Sequence, residues 1–220
     1  IVSGEADERS LRTLASNIRS DLLRLETISQ VDLTGTRNYQ VSIDVQESLL
    51  QRYNLSFAEI AQAIRANTLD APGGELKTAL TDKGPEGAIS ICKERAPQIA
   101  AEVSKQFNLD VKRVSPKNRN PAAIPDAWEA EAQAGLEKRL TAGEKPETLD
   151  TWQIVSTPTG KQFRYAKALP VQPLCLTCHG DPAAISDGVK ARLAAEYPQD
   201  KAIGYGPGMV RGIVSIKRAL

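Results

Sequence analysis

The sequence has few of the residues that usually carry chemistry: its 220 residues include one histidine, one methionine and three cysteines. No apolar run approaches the ~18 residues that a membrane span needs. The net charge is +1 without a basic block, and aromatic residues make up 5%, so neither the charge nor the stacking surface of a nucleic-acid-binding protein is present. The composition is 41% hydrophobic and 25% charged, which suits one large globular domain or two small ones.

Lysine is absent from residues 1–76, which contain seven arginines. Residues 77–220 contain thirteen lysines and eight arginines, and all three cysteines and the histidine lie beyond residue 90. This asymmetry predicts two segments of different origin, residues 1–76 and 77–220. Within the first segment, apolar spacing and turn residues predict a small α/β unit. Its predicted elements are a helix over 11–25, strands over 29–33 and 39–45, a short helix over 48–53, a capped helix over 56–66 and a turn over 70–74.

Several strings of the first segment resemble the periplasmic porter and docking region of resistance-nodulation-division efflux transporters. They are Leu33-Thr34-Gly35, Tyr39–Val45, Tyr53-Asn54-Leu55-Ser56, Ile60–Ala66 and Pro72-Gly73-Gly74-Glu75-Leu76. The resemblance covers residues 1–77 and implies a structural subdomain of a trimeric pump. Because the proton-relay membrane helices of such pumps are absent, it implies no transport by this segment. A generic βαβ-like fragment is the alternative interpretation.

The chemistry of the chain is concentrated in Cys175-Leu176-Thr177-Cys178-His179, a C-x-x-C-H motif typical of covalent c-type haem attachment. Two thiols three positions apart can form thioethers to two vinyl groups of one haem, and the histidine that follows can ligate the iron from the same side. His179 is therefore the predicted proximal ligand.

Two other interpretations of the motif stay open. A redox dithiol should lie at a helix start in a βαβ unit, and it leaves His179 unexplained. A zinc site needs four ligands, and the soft ligands available are Cys92, Cys175, Cys178 and His179, of which two are adjacent in sequence. A plain disulfide between Cys175 and Cys178 would be strained.

A second axial ligand could come from Cys92 or from Met209, the only methionine. Cys92 lies on the apolar face of a predicted helix, where a cysteine can also pack simply as a small hydrophobic residue. Arg113 and Arg119 are candidate partners of the two haem propionates, because arginine offers a bidentate fork to carboxylates. Tyr165 and Tyr205 are candidate haem-lining residues.

The second segment resembles a bacterial c-type haem domain family of unknown function, found as small soluble cytochromes and as extracytoplasmic sensing domains. The resemblance runs from about residue 76 to the C-terminus, and one departure is Pro116, where the family commonly has leucine. It implies a PAS-like fold in which Cys92 faces the iron opposite His179. The strings that carry it are Gly84–Pro97, Arg113-Val114-Ser115, Arg119-Asn120-Pro121, Pro125–Glu129, Phe163-Arg164-Tyr165, Cys175–Gly180, Tyr197–Tyr205 and Arg211–Ser215.

The sequence pattern of the second segment agrees with an α+β fold in which helices flank a mostly antiparallel sheet. The predicted elements are a long helix over 85–107, a strand over 110–114, a helix over 125–140, a hairpin over 152–168, a helix ending near 197 and a last strand over 210–217.

From these observations we expect a haem c protein that acts as a redox- or gas-responsive sensory module, or as a low-potential electron carrier. Because such attachment usually occurs outside the bacterial cytoplasm, we expect a periplasmic or otherwise extracytoplasmic location and a redox, signalling or transport protein as partner. With no second histidine to serve as acid or base, we expect no substrate turnover. The alternative is a periplasmic structural fragment of an efflux transporter with an accessory haem domain.

Overall fold

The structure is a computed structural model that describes residues 15, 18, 50, 56–67 and 72–220. The chain divides into two compact units, residues 1–40 and 41–220. Apart from Ala15, Ile18 and Leu50, which are helical, the elements predicted between residues 11 and 53 lie outside the described residues.

The centre of the second unit is a four-stranded antiparallel sheet in the order β1-β4-β3-β2. Strands β2 and β3 form a hairpin whose turn ends at Gly160, with a φ of 128° that favours glycine. The strands are β1 (Asp110–Val114), β2 (Asp150–Thr157), β3 (Gly160–Pro170) and β4 (Val210–Ala219).

Five helices are described, together with short 3-10 turns at Pro121–Ala123, Pro146–Thr148 and Pro173–Cys175. They are α1 (Phe57–Asn67), α2 (Pro72–Phe107), α3 (Ala127–Thr141), α4 (Leu176–His179) and α5 (Asp187–Glu196). Helix α2 is broken at Gly84, whose φ of 68° is left-handed, and Pro85 then opens its second half. The helix predicted over 85–107 is this second half.

The two faces of the sheet carry separate cores. Apolar side chains of α1 and the C-terminal half of α2 pack on one face, around Tyr165, Val214 and Ile216. Helix α3 packs on the other face, around Leu136 and Ile213. Helices on both faces of an antiparallel sheet confirm the predicted α+β class.

Helix α1 belongs to the core of the second unit, because Ile60 and Ile64 are fully buried in the cluster that contains Val214 and Ile216. The boundary predicted at residue 76 falls inside α2, whereas the compact units divide at residue 40. The predicted split at 76 stays a prediction, and the packing of α1 favours a boundary nearer residue 40.

A buried charge network holds α3 to the sheet. The carboxylate of Glu129, which is fully buried, lies 3.0 Å from Lys217 Nζ and accepts a hydrogen bond of 2.7 Å from Ser215 Oγ. Burial alone would raise the pKa of Glu129 and of its neighbour Asp126, but hydrogen bonds from backbone amides and from Lys217 outweigh it and lower the pKa of both. Asp126 also pairs with Arg164.

Across the described ranges, the helices all fall short of the combination of length and apolar character that crossing a bilayer requires.

Candidate functional site

The C-x-x-C-H motif occupies a single helical turn. Pro173 opens a 3-10 turn that leads into α4, and α4 is followed by Gly180, whose amide donates to the Leu176 carbonyl at 3.0 Å. A side chain at position 180 would bring a Cβ within 2.6 Å of that carbonyl oxygen, so the close turn requires glycine. The turn places both thiols and the histidine on one short, well-defined segment.

The thiols of Cys175 and Cys178 are free and half-buried. Burial raises the pKa of each, so both are protonated at neutral pH. Cys175 packs with Tyr205 and Ala202, whereas Cys178 packs with α5 and with Ile89 of α2. The two thiols therefore meet different parts of the fold.

His179 is oriented by a backbone hydrogen bond. Its Nδ1 lies 2.6 Å from the carbonyl oxygen of Ala202, which can only accept, so Nδ1 carries the proton. Its Nε2 then carries a lone pair, which accepts a hydrogen bond of 3.1 Å from Arg211 Nε. Burial, with Arg211 and Arg119 nearby, holds the pKa of His179 well below its usual range. A neutral imidazole held through Nδ1–H with Nε2 presented is the form that binds metals.

Arg211 reaches this position because of an irregularity in β4. Leu169 of β3 pairs with Gly212 of β4, and the next residue of β3, Pro170, pairs with Val210, so Arg211 has no partner across the ladder. Val210 and Ile213 consequently pack in the same cluster under α3, and Arg211 is directed to His179. Bulges of this kind re-aim side chains beside functional sites.

Arg119 ties the motif to the loop that orients the histidine. Its guanidinium pairs with Asp200 Oδ2 at 2.9 Å and donates to the carbonyl oxygens of Cys178 at 2.5 Å and Ala202 at 3.4 Å. Arg119 and Asp200 have only 11% and 12% of their side chains exposed, so this pair is largely shielded from water. Arg119, held by its ion pair with Asp200, thus connects the end of α4 to Ala202, whose carbonyl accepts the hydrogen bond from His179.

Cys92 lies on α2, beside the same group of arginines. Its side chain is accessible to solvent, yet burial among protein atoms is the main cause that raises the pKa of its thiol. The charges of Arg113, Arg119 and Arg211 act on Cys92 and on His179 alike, and Ile89, one turn before Cys92, packs with Cys178. The structure therefore brings Cys92 to the region of the motif.

The three arginines form a concentration of positive charge at this site. Burial lowers the pKa of Arg113, and burial together with Arg113 and Arg119 lowers the pKa of Arg211 to about 10. Asp200 is the one carboxylate that pairs with any of the three among the described residues. Such a cluster favours an anionic ligand.

The remaining predicted residues are placed as follows. Tyr205 lines the motif: its ring meets the His179 ring edge-on at 6.4 Å, and its hydroxyl donates to the Arg211 carbonyl at 3.2 Å. Tyr165 is fully buried in the α1/α2 core, where its hydroxyl donates to Asp150 at 2.8 Å. Met209 is 47% exposed, and its sulfur accepts a hydrogen bond from the Gly206 amide of its own turn.

Sequence reasoning missed three participants: Arg211, Asp200 and the Ala202 carbonyl. All three lie in strings that carried the second resemblance, but spacing alone gave none of them a role. Their roles depend on contacts across the fold, such as those from Arg119 to Asp200 and from Arg211 to His179.

The described residues hold no group of three or more histidine, cysteine, aspartate or glutamate side chains arranged to bind a metal ion. The four soft ligands that a zinc site would need are therefore not gathered as a tetrahedral set. Haem makes no such demand, because the porphyrin supplies four of the iron ligands.

A family model described as Tll0287-like matches residues 27–218 of the chain. The crystal structure of the cyanobacterial heme-protein Tll0287 superposes with a TM-score of 0.54 at 20% sequence identity, covering 78% of this chain and 95% of that one. At that identity the likeness shows a shared fold. A search of curated proteins finds no match. The resemblance of residues 1–77 to efflux transporters stays a prediction.

Proposed function

This chain belongs to the Tll0287-like family, and from that premise we propose that it is a c-type haem-binding protein with a redox or gas-sensing role. The observation that carries the proposal is the state of His179. Its Nδ1–H is fixed on the Ala202 carbonyl and its Nε2 lone pair is presented, one residue after the second of two free thiols. In addition, the related protein Tll0287 is named as a heme-protein.

The residues of the site suit a haem better than a bare metal ion. Cys175 and Cys178 would form the thioethers, and His179 would ligate the iron through Nε2. Tyr205 and the apolar residues packed around Cys175 would exclude water from the histidine side. Cys92, on the separate element α2, would supply a second protein ligand to the iron.

When bound, the haem supplies a one-electron centre whose potential depends on its axial ligands. A Cys92 thiolate would favour the ferric state and so lower the potential. Burial raises the pKa of the Cys92 thiol, and the charges of Arg113, Arg119 and Arg211 partly oppose that effect; a bound iron would supply the remaining stabilisation of a thiolate. These properties support a low-potential electron carrier or a redox-responsive sensor.

Intact mass spectrometry tests the covalent attachment. The chain is expressed in a host with active cytochrome c maturation, denatured in acid and weighed, and a pyridine haemochrome spectrum is recorded. We expect a mass one haem above that of the polypeptide. Cys175→Ser with Cys178→Ser should abolish the covalent mass, whereas the matched thiol variant Cys92→Ser should keep it. An unmodified wild-type mass would refute the proposal.

An extracytoplasmic location follows from the same chemistry, because attachment of haem to C-x-x-C-H usually takes place outside the bacterial cytoplasm. Fractionation of the native host with haem staining should find the protein outside the cytosol. Haem staining confined to the cytosolic fraction would contradict this location.

A further inference from the structure

We propose that Arg113 and Arg211, rather than Arg119, bind the two carboxylate groups of the haem. The site would then recognise the two negative charges of the haem as well as its iron. The inference rests on the proposed function. It concerns the identity of the two cations, which the motif does not determine.

The first argument is a charge count. Three guanidinium groups, those of Arg113, Arg119 and Arg211, act on both Cys92 and His179. Within the described part of the chain, one carboxylate, that of Asp200, pairs with this group. The remaining surplus is two positive charges, and a haem carries two propionates.

The second argument is which arginines remain free to bind. Arg119 is committed to Asp200 and to the carbonyls of Cys178 and Ala202. Arg113, by contrast, makes no hydrogen bond or ion pair with any of the described residues, and the acidic groups that act on it are the thiols of Cys92 and Cys175 and the phenol of Tyr197. A shielded guanidinium without an anion is destabilising, and proteins keep destabilising groups of this kind at functional sites.

The third argument comes from the position of Arg211. Its Nε donates to His179 Nε2, the same nitrogen that would ligate the iron. Arg211 must therefore give up this hydrogen bond when the haem binds. Its carbonyl is held by Ser115 and Tyr205, at 2.7 and 3.2 Å, so its backbone stays in place and the released side chain remains near the site. Arg113 lies on the sheet face of Val111, toward α2 and Cys92.

Two other cations near the site already have partners, and Lys201 is exposed to solvent. Lys117 donates to the Ile203 carbonyl at 2.6 Å and lies 4.5 Å from the centre of the Tyr205 ring. Lys93 pairs with Glu196 at 2.7 Å. Two carboxylates therefore have Arg113 and Arg211 as their best available partners.

The test compares a dicarboxylic haem with its neutral ester. Mesohaem lacks vinyl groups and cannot attach covalently, and its dimethyl ester also lacks both negative charges. Each is titrated into the haem-free chain, and binding is followed by absorbance. A charge-assisted hydrogen bond predicts about ten- to one-hundred-fold weaker binding of mesohaem for each arginine lost. We expect Arg113→Gln and Arg211→Gln to weaken mesohaem binding by this factor and to leave ester binding nearly unchanged.

Two variants serve as controls. Arg192→Gln removes an exposed arginine of α5 whose partners are Glu196 and Ser90, and it should change neither affinity. Arg119→Gln should weaken the binding of mesohaem and of its ester alike, because it loosens the loop that orients His179. Circular dichroism and the thermal midpoint of each haem-free variant verify folding, and Arg113→Gln should not lower the midpoint, since it removes an unpaired charge.

The assignment is overturned if the wild type binds both ligands equally, or if its preference for mesohaem persists in both variants. It is also overturned if the haem-loaded wild type binds inorganic phosphate in calorimetry and Arg113→Gln abolishes that binding, because the cluster would then hold a free anion. A wild type that binds neither haem would instead refute the proposed function, and the arginine assignment with it.

Discussion

Asp200 carries more of the stability of this site than its single ion pair suggests. It is the one carboxylate that pairs with the arginines beside His179, among the residues that the structure describes. Asp200→Asn removes its charge and leaves three guanidinium groups that repel one another in a poorly hydrated region. The substitution keeps the size of the side chain and the oxygen that accepts from the Ala202 amide at 2.8 Å.

The expected cost follows from the burial of the pair. Because Arg119 and Asp200 are 11% and 12% exposed, the loss resembles that of breaking a buried pair, about 3–5 kcal/mol in the free energy of unfolding. For a domain of this size that corresponds to a midpoint lowered by roughly 6–20 °C. Arg119→Gln should cost less, since Arg113 and Arg211 would still offset the charge of Asp200. The double variant should cost less than the sum of the two single variants.

Urea unfolding of the haem-free chain, followed by circular dichroism, measures these free energies. Asp187→Asn is the control, because Asp187 is fully exposed in its pair with Lys190 and its loss should change little. Haem loading should reduce the cost of Asp200→Asn, since two carboxylates enter the same cluster. An Asp200→Asn chain within about 1 kcal/mol of wild type would refute the charge argument, since breaking a buried pair costs several times more.

Three further predictions concern the axial ligand, the pH range and the boundary of the folded unit. In the haem-loaded protein, Cys92→Ala should raise the reduction potential and shift the ferric spectrum from low spin toward high spin, while Met209→Leu should leave both nearly unchanged; a spectroelectrochemical titration that responds to Met209 alone would indicate histidine–methionine ligation. Since the pKa values of Asp126 and Glu129 are lower in the folded than in the unfolded state, their contribution to stability is present above roughly pH 4, where these groups titrate in unfolded chains, and is lost as the pH falls below it. The urea midpoint should therefore drop in that range, less steeply in Asp126→Asn, and an identical pH profile for the two chains would count against the network. Limited proteolysis should leave a core that begins near residue 41, because Ile60 and Ile64 are buried against β4. A stable core that begins near residue 76 would support the boundary predicted from the lysine distribution instead.

Local sequence signals predicted much of the fold. The Ser56–Glu59 pattern predicted a capping box, and both of its hydrogen bonds are present, at 2.8 and 3.1 Å. The strand predicted over 110–114 has the observed bounds, and the hairpin pairs as expected. These elements depend on periodicity and on turn residues, which neighbouring positions supply. Residues 72–74, predicted as part of a turn, are helical, because proline suits the first turn of a helix as well as a bend.

The site was less predictable, since its geometry depends on contacts between distant segments. The spacing of the motif identified Cys175, Cys178 and His179 as candidates, and the arrangement around them depends on Asp200 and Ala202, which are more than twenty positions away. Tyr165 was a candidate haem-lining residue, but a strand residue can face either side, and its hydroxyl bonds to Asp150 within the core. Arg211 gave no local signal, because one extra residue in a strand leaves the apolar pattern nearly unchanged.

That extra residue also determines how this arrangement could be engineered. The one position between Val210 and Gly212 is Arg211, and deleting it would restore a regular ladder while the strand retained its apolar face. The resulting protein could fold normally and still lack a cation beside its histidine. A designer who transplants the haem motif to another antiparallel sheet must therefore copy an irregularity in the last strand as well as the five letters of the motif.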